Sequence, residues 1–587
     1  MNRKISPRYE FGPFCLDKAE QVLTCDGVPV SLMPKTFEVL LALVENNGHV
    51  VSKDELMRAV WPDTHVEEAN LTQNIFVLRK ALGEGRAGRR YIETIPRRGY
   101  RFIADVREVK DEAAAVPPSA GVAMAESRRA VNSIAVLPLT NASHDPDFEY
   151  LLDGITEGII NNLSQLPSLK VMARSTVFRY KGREMDVREV GRELGVRAAV
   201  TGRVIGVSDR LVISVELVDV ADGAQRWGRR FDISTANVFA AQGEIVGEIT
   251  RNLQIKLTAE EKGRLAKQDT AHTEAYHCYL KGRYFWNKYS MESVERAIGY
   301  FRQAIALDSA YAMAYAGLAD AYQRLSSSFL PPEEALPKAK SLALQAVEYD
   351  DTLAEAHSSL GVITTYWDFN FRAAESEHLR AIELNAGSSL IRQRYGMCLL
   401  YMERFEEARA EFIKALDLDP LSPQLNVNFG LCLIFTGRYD AAVEQMGKAV
   451  ELEPNYYPGR VGLGYAYMHT GNLTKALTEL KLAWRLGKDF HAVGLMGCAY
   501  ALFGQRRKAE SVVAELRAAS KRRYISPYHL ATVYACLGKK AEALAWLERL
   551  YADKNDYLTF IKLCPELKSM HTEPGFVDLL KRAGLLP

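Results

Sequence analysis

The stretch EANLTQNIFVLRKALGEGRAGRRYIETIPRRGYRF, residues 68–102, decides the fold of the N-terminal part of the chain. Its first half predicts an amphipathic helix, because four apolar residues recur at spacings of four, three and four: Leu71, Ile75, Leu78 and Leu82. Since this apolar stripe has to face a core, the opposite side of the helix points outward. That side carries hydrogen-bonding groups and two apolar tips, which can read base edges: Asn70, Thr72, Gln73, Asn74, Phe76, Val77, Arg79 and Lys80.

The second half of the same stretch predicts a β-hairpin with a basic tip. Residues 83–88 are rich in glycine and end the helix, and the patterns of residues 91–95 and 100–102 predict two strands. Arg97 and Arg98 occupy the turn between these strands. A helix followed by such a hairpin is the layout of a winged helix, with the helix in the major groove and the wing over a neighbouring groove.

The local charge supports contact between this hairpin and DNA. From Arg79 to Arg107 there are nine basic and three acidic residues, a balance of nine minus three, or plus six. The whole chain has a formal net charge of only +1, so the basic cluster is a local feature. We therefore predict that Arg97 and Arg98 contact a groove; the alternative is a solvated, charged hairpin.

The residues before this stretch predict a small sheet and two helices. Short strands are expected at 9–17, 21–27 and 28–32, with the Asp26-Gly27 pair as a turn. A first helix is expected to start at Pro34 and to stop at residues 46–48. Ser52 caps a second helix, and Glu55 three residues later completes a capping box.

The order of sheet, three helices and hairpin resembles the OmpR/PhoB-type winged-helix DNA-binding domain. The segments that carry the resemblance are SLMPKTFEVLLALVENNGHVVSKDELMRAVWPD (31–63), LRKALGE (78–84) and YIETIPRRGYRF (91–102), and it covers residues 9–106. It implies double-stranded DNA as the partner, the third helix in the major groove, and Arg97 and Arg98 on the backbone or minor groove. It also implies that the chain recruits or positions RNA polymerase.

Three features set limits on this resemblance. Phe76 and Val77 stand where response-regulator members often carry arginines, so we do not carry over their base preferences; an apolar tip can instead touch a thymine methyl. Only eight residues precede Tyr9, so regulation by aspartyl phosphorylation in cis is not expected. Residues 83–88 match GxGxxG but follow a helix and precede a strand, the reverse of a dinucleotide site, so no cofactor is predicted.

The composition favours a globular protein with several domains. The chain has 587 residues, of which 48% are hydrophobic and 25% charged, an ordinary globular mixture. Its eight cysteines lack CxxC pairs and metal-ligand spacing, so we expect reduced thiols and no metal site. No apolar run approaches the roughly 18 residues that a membrane-spanning helix needs, so a cytoplasmic location without membrane contact is expected.

A linker followed by an α/β domain is predicted after the winged helix. Residues 109–131 are rich in Ala, Pro, Ser and Gly and lack periodicity. Residues 132–262 alternate strands at 133–139 and near 171 with helices at 148–166 and 187–194, then continue with three strands and a helix at 237–257. SIAVLPLTNASHDPDFEYLLDGITEGIINNLSQLPSLKVMARSTVFRYKG and ELGVRAAVTGRV resemble the TolB-amino-terminal-like domain, which couples bacterial winged-helix or cyclase modules to repeat arrays. This resemblance implies no chemistry.

Five acidic residues crowd the start of the α/β domain. Paired carboxylates can bind a metal or act as acid and base, but capping and solvation of a helix start are favoured, because no histidine, cysteine or nucleophile motif accompanies them. No P-loop, GxSxG or HExxH motif occurs, so we predict no catalytic residues and no enzyme. The five residues are Asp145, Asp147, Glu149, Asp153 and Glu157.

Residues 270–587 carry a repeat of about 34 residues. Four glycines follow one another at spacings of 34, 34 and 33, and five alanines keep the same spacing: Gly396, Gly430, Gly464 and Gly497, with Ala408, Ala442, Ala476, Ala509 and Ala543. Paired helices with small residues at the crossing resemble the tetratricopeptide repeat (TPR). About eight repeats and a capping helix near 575–584 are expected.

The repeat array is the predicted protein-binding part of the chain. Such arrays form a superhelix whose concave face binds a peptide or another protein. Arg394 and Asn428 share one repeat position and are predicted to line this face; exposed side chains without a ligand are the alternative. Cys398 and Cys432 also share a position, where small packing residues are favoured over a redox pair.

We therefore predict a multidomain chain: an α+β winged helix at 1–108, a linker at 109–131, an α/β TolB-like domain at 132–262 and an all-α TPR superhelix at 270–587. The predicted function is a one-component, sequence-specific transcriptional regulator whose TolB-like and TPR regions sense a signal, bind a protein or assemble the molecule. The alternative is an adaptor or scaffold whose TPR array is the active part and whose winged helix binds protein. Salt-dependent DNA affinity distinguishes the two.

Overall fold

The computed structural model describes residues 8–18, 22–25, 28–30, 32, 34–60, 71, 74, 75, 78, 79, 82, 91–95, 98–109, 131–143, 145–183, 186–267, 270–288, 291–326 and 330–586. It divides into two compact units, Met1–Arg128 and Arg129–Pro587. The predicted glycine-rich loop at 83–88 and nearly all of the predicted linker lie outside the described residues.

The described residues of the first unit form two antiparallel sheets and parts of three helices. Its strands are β1 (Arg8–Phe11), β2 (Phe14–Asp17), β3 (Val22–Cys25), β4 (Val28–Val30), β5 (Val50–Ser52), β6 (Ile92–Ile95), β7 (Gly99–Phe102) and β8 (Arg107–Val109). The larger sheet has the order β4-β3-β2-β1-β8 and the smaller one β5-β7-β6. The helices are α1 (Pro34–Glu45), α2 (Lys53–Val60) and α3, of which residues 71, 74, 75, 78 and 79 are described.

Local sequence signals account for most of this unit. The apolar stripe of α3 is buried as predicted, since none of its four residues is more than 3% exposed. The capping box is confirmed, because Ser52 N donates to Glu55 Oε2 at 2.8 Å and Glu55 N donates to Ser52 Oγ at 3.2 Å. The single strand expected at 9–17 is wrong: Gly12 adopts φ +56° and reverses the chain, so β1 pairs with β2.

The second unit begins with a six-stranded mixed sheet. Its strands are β9 (Ser133–Val136), β10 (Thr140–Asn141), β11 (Lys170–Val171), β12 (Ala198–Val207), β13 (Arg210–Asp219) and β14 (Gln225–Ser234). The order is β11-β9-β12-β13-β14, with β10 beside β12; β11, β9 and β12 are parallel, and β12, β13 and β14 are antiparallel. Strands alternating with helices and then a meander are confirmed. All four residues of β9 are buried, as its continuous apolar run predicts.

Five helices accompany this sheet: α4 (Glu149–Ser164), α5 (Arg174–Val177), α6 (Val187–Glu193), α7 (Val238–Asn252) and α8 (Ala259–Ala266). The helix expected at 237–257 ends earlier than predicted. Gln254 adopts φ +57°, and Thr258 caps α8 through a capping box with Glu261, so two helices replace one.

The rest of the described unit is helical. Eight antiparallel pairs follow one another: α9 (Thr273–Trp286) with α10 (Met291–Leu307), α11 (Ala312–Leu325) with α12 (Pro332–Tyr349), α13 (Ala354–Ile363) with α14 (Phe371–Leu384), α15 (Ser389–Tyr401) with α16 (Phe405–Leu418), α17 (Pro423–Phe435) with α18 (Tyr439–Leu452), α19 (Tyr457–His469) with α20 (Leu473–Gly487), α21 (Phe490–Leu502) with α22 (Arg506–Ala519), and α23 (Pro527–Cys536) with α24 (Lys540–Ala552). Two 3-10 helices, Asp556–Phe560 and Pro565–Met570, precede the last helix, α25 (Pro574–Arg582).

The repeating glycines lie where the two helices of a pair cross. A Cβ atom on Gly430 would lie 2.5 Å from Met446 Cγ, and one on Gly464 would lie 2.7 Å from Leu480 Cγ. Both neighbours are 16 residues further along, on the second helix of the same repeat. The close approach of the helices therefore requires the glycine, as the repeat pattern predicts.

Candidate functional site

Helix α3 is held in the first unit by hydrogen bonds as well as by its apolar stripe. Asn74, predicted to contact DNA, is half-buried, and its Oδ1 accepts a hydrogen bond of 2.6 Å from Thr36 Oγ1 on α1. Arg79 reaches the opposite way, and its Nη2 donates to Ile92 O at 3.1 Å and to Thr94 Oγ1 at 2.7 Å. These bonds fix the angle of α3 against both α1 and the wing strand β6.

In the described part of the wing, Arg98 is exposed and the following Gly99 is buried. Arg98 is exposed in the turn between β6 and β7, and its backbone N–H donates to Ile95 O at 3.1 Å. A Cβ atom on Gly99 would lie 2.0 Å from the carbonyl oxygen of Val51, so only glycine lets β7 pair with β5. The wing of the predicted winged helix is thus anchored on the strand before α2.

Not every basic residue of the hairpin is available to a ligand. Arg101 Nη2 lies 2.7 Å from Glu93 Oε2, directly across the β6–β7 ladder. This ion pair compensates Arg101 and leaves the charge of the described hairpin turn to Arg98. The predicted DNA-contacting residues that lie outside the described residues are Asn70, Thr72, Gln73, Phe76, Val77, Lys80 and Arg97.

Two residues of the acidic cluster have a different role from the predicted one, whereas Glu149 lies in the first turn of α4 as predicted. Asp153 and Glu157 do not cap and solvate a helix start, since both residues are 93% buried on α4. Arg283 of α9 donates to Glu157 Oε1 from Nε at 2.9 Å and from Nη2 at 2.6 Å, and Arg174 Nε lies 2.9 Å from Glu157 Oε2. Lys181 donates to Asp153 Oδ1. The prediction was wrong because buried and solvated carboxylates look alike in a sequence.

The pKa values of the two carboxyl groups shift in opposite directions. Burial alone would raise the pKa of Glu157, but the charges of Arg283 and Arg174 outweigh it and lower the pKa below its ordinary value. For Asp153, burial prevails over the hydrogen bond from Lys181, and the pKa is raised. Both groups serve a network of ion pairs that joins the α/β domain to the first repeat.

One polar position recurs after the second helix of successive repeats and binds the preceding part of the chain. The Asp308 carboxylate accepts from Thr270, and the Asp350 carboxylate from Lys267. Asn385 donates from Nδ2 to Ser164 Oγ at 3.1 Å, and Asp419 accepts from Thr176 Oγ1 at 2.7 Å. We call the four residues Asp308, Asp350, Asn385 and Asp419 the docking ladder.

Sequence reasoning missed the docking ladder and its partners. The signal was present, since Asp350, Asn385 and Asp419 follow one another at the repeat spacing. Asp and Asn are also common at helix ends, however. Nothing in the repeat sequence indicates that Asn385 and Asp419 bond to residues more than 200 positions earlier. The hydrophobic core also joins the α/β domain to the repeats, because residues of β9, α4 and the first three repeats pack in one continuous cluster.

A second segment of the chain reaches the first helices of the later repeats. Phe560, in the 3-10 helix after α24, stacks on Tyr401 of α15 and Phe435 of α17 with ring centroids 6.2 and 5.8 Å apart. Tyr465 of α19 donates to Glu566 Oε2 at 2.9 Å. The helices predicted to present a concave binding face therefore already contact the chain's own C-terminal segment.

The two residues predicted to bind a partner line a cavity among these first helices. Arg394 and Asn428 both border a cavity of about 280 Å³. Arg394 also donates to Asp320 Oδ2 at 2.7 Å and to Ser358 Oγ at 3.1 Å, so it is anchored within the array. Cys398 and Cys432 are both buried, and burial raises the pKa of each thiol to about 11.

The described residues contain neither a candidate membrane span nor a metal-ligand cluster. Among them, no helix is both long and apolar enough to cross a membrane. The same residues contain no group of three or more histidine, cysteine, aspartate or glutamate side chains that could hold a metal ion.

Three segments of the chain match known protein families. Residues 27–102 match the family described as transcriptional regulatory protein, C terminal, and residues 130–248 match the second domain of HilA/YgeH-like transcriptional regulators. Residues 396–454 and 433–497 match tetratricopeptide repeats.

Individual relatives cover parts of the chain. A Rhizobium meliloti protein, provisionally named adenylate cyclase 3, is 32% identical over 267 residues, 45% of this chain and 44% of its own. The transcriptional regulator HilA of Salmonella typhimurium is 24% identical over 364 residues, 61% of each chain. The structure of the DNA-binding domain of Escherichia coli CadC is 28% identical over 18% of this chain and all of that chain, with a TM-score of 0.17.

This chain therefore spans about half of the length of the curated relatives it matches, between 44% and 61%. The same relatives do not share one activity by name. What the matches have in common with the structure is the order of parts along the chain. The protein consists of a winged-helix-like region similar to transcriptional regulators, a middle sheet-containing region similar to the second domain of HilA/YgeH-like regulators, and an all-helical tetratricopeptide array.

Proposed function

We propose that this chain is a sequence-specific, DNA-binding transcriptional regulator. The observation that carries the proposal is the match of residues 27–102 to transcriptional regulatory proteins, in a domain whose wing turn exposes Arg98. In the proposed complex, α3 enters the major groove and the wing contacts the backbone or minor groove. The proposed contacts are Asn70, Thr72, Gln73, Asn74, Phe76, Val77, Arg79, Lys80, Arg97 and Arg98.

Within this proposal, Asn74 and Arg79 have two tasks. Each is bonded to the domain itself, to α1 and to β6 respectively, so each orients α3 as well as facing DNA. Removing either side chain would change the angle of the helix and not only one contact. Arg98 is therefore the better described residue for testing a contact with DNA alone.

The proposal extends to the remaining parts of the chain. We propose a TolB-like α/β domain at 132–262 and a TPR array at 270–587, after a winged helix at 1–108 and a linker at 109–131. A protein partner, with RNA polymerase first among those to test, binds outside the surface that the chain's own segments contact. As a chromosome-binding protein, the regulator would act in the bacterial cytoplasm. The ion pairs of Asp153 and Glu157 support a structural and not an enzymatic role for the acidic cluster.

The decisive experiment uses the full chain and random duplex DNA. After repeated selection of bound duplexes, the enriched sequence is titrated by fluorescence anisotropy at salt concentrations from about 50 to 300 mM. The proposal expects one enriched motif and an affinity that falls linearly with salt on a log–log plot. Arg98→Ala should weaken binding to all sequences and reduce the salt slope by about one unit.

The matched control is Lys18→Ala. Lys18 is also an exposed cation of the first unit, but it pairs with Glu45 at 2.5 Å and lies outside the wing. Its removal should leave both affinity and salt slope unchanged. Absence of any enriched motif, or equal effects of the two substitutions, would overturn the proposal and favour a scaffold that binds only protein.

A further inference from the structure

The sixth and seventh repeats carry a large excess of positive charge. From Lys481 to Tyr524 there are ten basic and three acidic residues, a balance of ten minus three, or plus seven. The whole chain has a formal net charge of only +1, so this excess is local. It is larger than the balance of plus six in residues 79–107, the basic cluster of the winged helix. A local excess of this size indicates an anionic partner.

Six of these cations are exposed at one edge of the array, where the second helices of the two repeats end. Helix α20 ends at Gly487 and α22 ends at Ala519. The two chain segments that follow these ends are in contact, because Arg523 Nη2 donates to Lys488 O at 3.2 Å. We call the six exposed cations the basic edge: Arg485, Lys488, Arg517, Lys521, Arg522 and Arg523.

The basic edge continues the edge of the array that the preceding part of the chain contacts. The C-cap residues of the second helices in repeats two to four are Asp350, Asn385 and Asp419, which all belong to the docking ladder. In the sixth repeat the C-cap residue is Lys488, so an acid or amide is replaced by a cation. Among the described residues, no hydrogen bond or ion pair joins residues 132–267 to residues 484–524. This part of the edge is therefore free for another partner.

Carboxylates and helix ends compensate only part of the charge of the basic edge. Segments 484–490 and 515–524 contain two acidic residues, Asp489 and Glu515. Asp489 already caps α21, since its Oδ1 accepts from His491 N at 3.0 Å. A helix C-terminus carries about half of a negative charge, so the two helix ends offset about one cation. Six cations minus two carboxylates and one helix-end charge leave about three positive charges uncompensated.

Aromatic rings hold two of the six cations in place. The guanidinium carbon of Arg523 lies 4.3 Å from the centre of the Phe490 ring, and Lys488 Nζ lies 5.5 Å from the centre of the Trp484 ring. The two rings themselves pack edge to face, with centres 4.9 Å apart. The other four cations make no side-chain hydrogen bond or ion pair with any described residue, so their donors are available to a ligand.

An exposed surface of this kind fits the phosphate backbone of duplex DNA. Exposed arginines and lysines bind backbone phosphates without needing a pocket. An acidic peptide would instead need a groove with hydrogen-bonding partners for its own backbone. In the proposed function, the winged helix of the same chain also binds duplex DNA, which raises the local concentration of phosphates at the array.

We propose that the basic edge binds the phosphate backbone of duplex DNA, as a second and sequence-independent contact of the chain. Four of its cations, Arg485, Arg517, Lys521 and Arg522, bind phosphates, while Lys488 and Arg523 fix the two segments against each other. Each bound phosphate releases counterions, so the basic edge steepens the salt dependence of DNA affinity. The inference rests on the proposed function for the choice of DNA as the partner.

The test measures the affinity of the full chain for a random duplex of about 40 base pairs by fluorescence anisotropy, at salt concentrations from about 50 to 300 mM. Lys521→Ala/Arg522→Ala removes two exposed cations that bond to no described residue, and far-UV circular dichroism verifies that the fold is kept. At about 100 mM salt this variant should bind at least about fivefold more weakly, and its salt slope should fall by about two units. Arg485→Ala/Arg517→Ala should act in the same way. Unchanged affinity and slope in both variants would overturn the inference.

The matched control is Arg409→Ala/Lys448→Ala. It also removes one arginine and one lysine from the second helices of the array, so the net charge changes equally. These two cations pair with carboxylates, Arg409 with Glu406 at 3.4 Å and Lys448 with Glu444 at 3.6 Å. The control should leave the salt slope unchanged. Equal effects of the control and of Lys521→Ala/Arg522→Ala would overturn the basic edge, because total charge alone would then account for binding.

The results separate this inference from the proposed function. Adding Arg98→Ala to Lys521→Ala/Arg522→Ala should lower the slope by about one further unit, since contacts at distant sites are additive. If selection enriches no motif but Lys521→Ala/Arg522→Ala still lowers the slope, the proposed function fails and the basic edge stands. An enriched motif with an unchanged slope refutes the basic edge alone.

Two other polyanions test the choice of DNA. Polyglutamate and vesicles that contain phosphatidylserine are titrated against the full chain and against Lys521→Ala/Arg522→Ala. The inference expects the substitution to weaken binding of the duplex. If it weakens binding of polyglutamate or of the vesicles and leaves the affinity for the duplex unchanged, DNA is overturned as the partner of the basic edge.

Discussion

Arg283 of the first repeat donates two hydrogen bonds to one carboxylate oxygen of Glu157, which belongs to the α/β domain, 126 residues earlier. Both side chains are largely buried, with 20% and 9% of their areas exposed. The pair ties two structurally different parts of the chain into one body. Its energetic weight can be measured, because a buried carboxylate that loses its partner is costly.

Arg283→Leu should lower the free energy of unfolding by about 3 kcal/mol, the lower end of the range for a broken buried pair, since Arg174 still contacts Glu157. Urea unfolding followed by far-UV circular dichroism measures this loss. The double variant Glu157→Gln/Arg283→Leu should recover part of it, because the carboxylate that lost Arg283 is then neutral, while Arg174 keeps Asp153 at 3.8 Å. Equal losses in the single and double variants would contradict this account.

His378 should make the fold sensitive to mild acid. Its pKa is about 3 in the folded chain and near 6.5 when unfolded, so the stability it contributes is present above pH 6.5 and is lost as the pH falls toward 3. Between pH 7 and pH 5 the chain should lose about 2 kcal/mol that His378→Leu does not lose. Urea unfolding at both pH values measures the difference. The exposed His272 provides the control, and a His272→Leu variant with the same pH profile as His378→Leu would refute the prediction.

Two glycines of one repeat should respond oppositely to alanine. In Gly430→Ala the new Cβ would lie 2.5 Å from Met446, so overpacking should cost about 1–3 kcal/mol. In Gly447→Ala the Cβ would meet nothing within 4 Å, and better helix propensity should add about 0.5–1 kcal/mol. Thermal unfolding of both variants tests the pair. An unchanged or raised melting temperature in Gly430→Ala would mean that the crossing does not require the glycine.

Alanine at Gly99 should destabilise the wing through a steric clash, and by more than alanine at a glycine that has only a positive φ. Gly99→Ala would place a Cβ 2.0 Å from the carbonyl oxygen of Val51 and force β7 away from β5, at a cost of at least about 3 kcal/mol in lost ladder bonds. Gly48→Ala is the control: it has φ +78° but no atom within 4 Å, so it should cost only about 1–2 kcal/mol. Circular dichroism during heating measures both. Similar costs would show that backbone strain alone accounts for Gly99.

Features that are encoded locally could be predicted from the sequence. Spacings of 3 to 34 residues were enough to predict three features. They are the apolar stripe that begins at Leu71, the capping box of Ser52 and the repeating glycines such as Gly430. These patterns report one helix, one turn or one helix pair at a time. They correctly gave the winged helix, the α/β alternation and the helical repeats, because each of those is built from neighbours in sequence.

Features that join distant segments could not be predicted. Nothing near Glu157 indicates that its partner is Arg283, and nothing near Asp419 indicates Thr176. The sequence does not distinguish a solvated carboxylate from one buried against an arginine, so the prediction was wrong for Asp153 and Glu157.

The docking ladder has a consequence for how the protein is made. Thr176 and its acceptor Asp419 are 243 residues apart. At a synthesis rate of about 5–20 residues per second, α5 leaves the ribosome about 12–50 s before Asp419 has been made. During this time the α/β domain lacks its hydrogen-bond partners in the repeats, which are synthesised one after another. A nascent chain that stalls before the fourth repeat is finished therefore lacks the acceptor of Thr176.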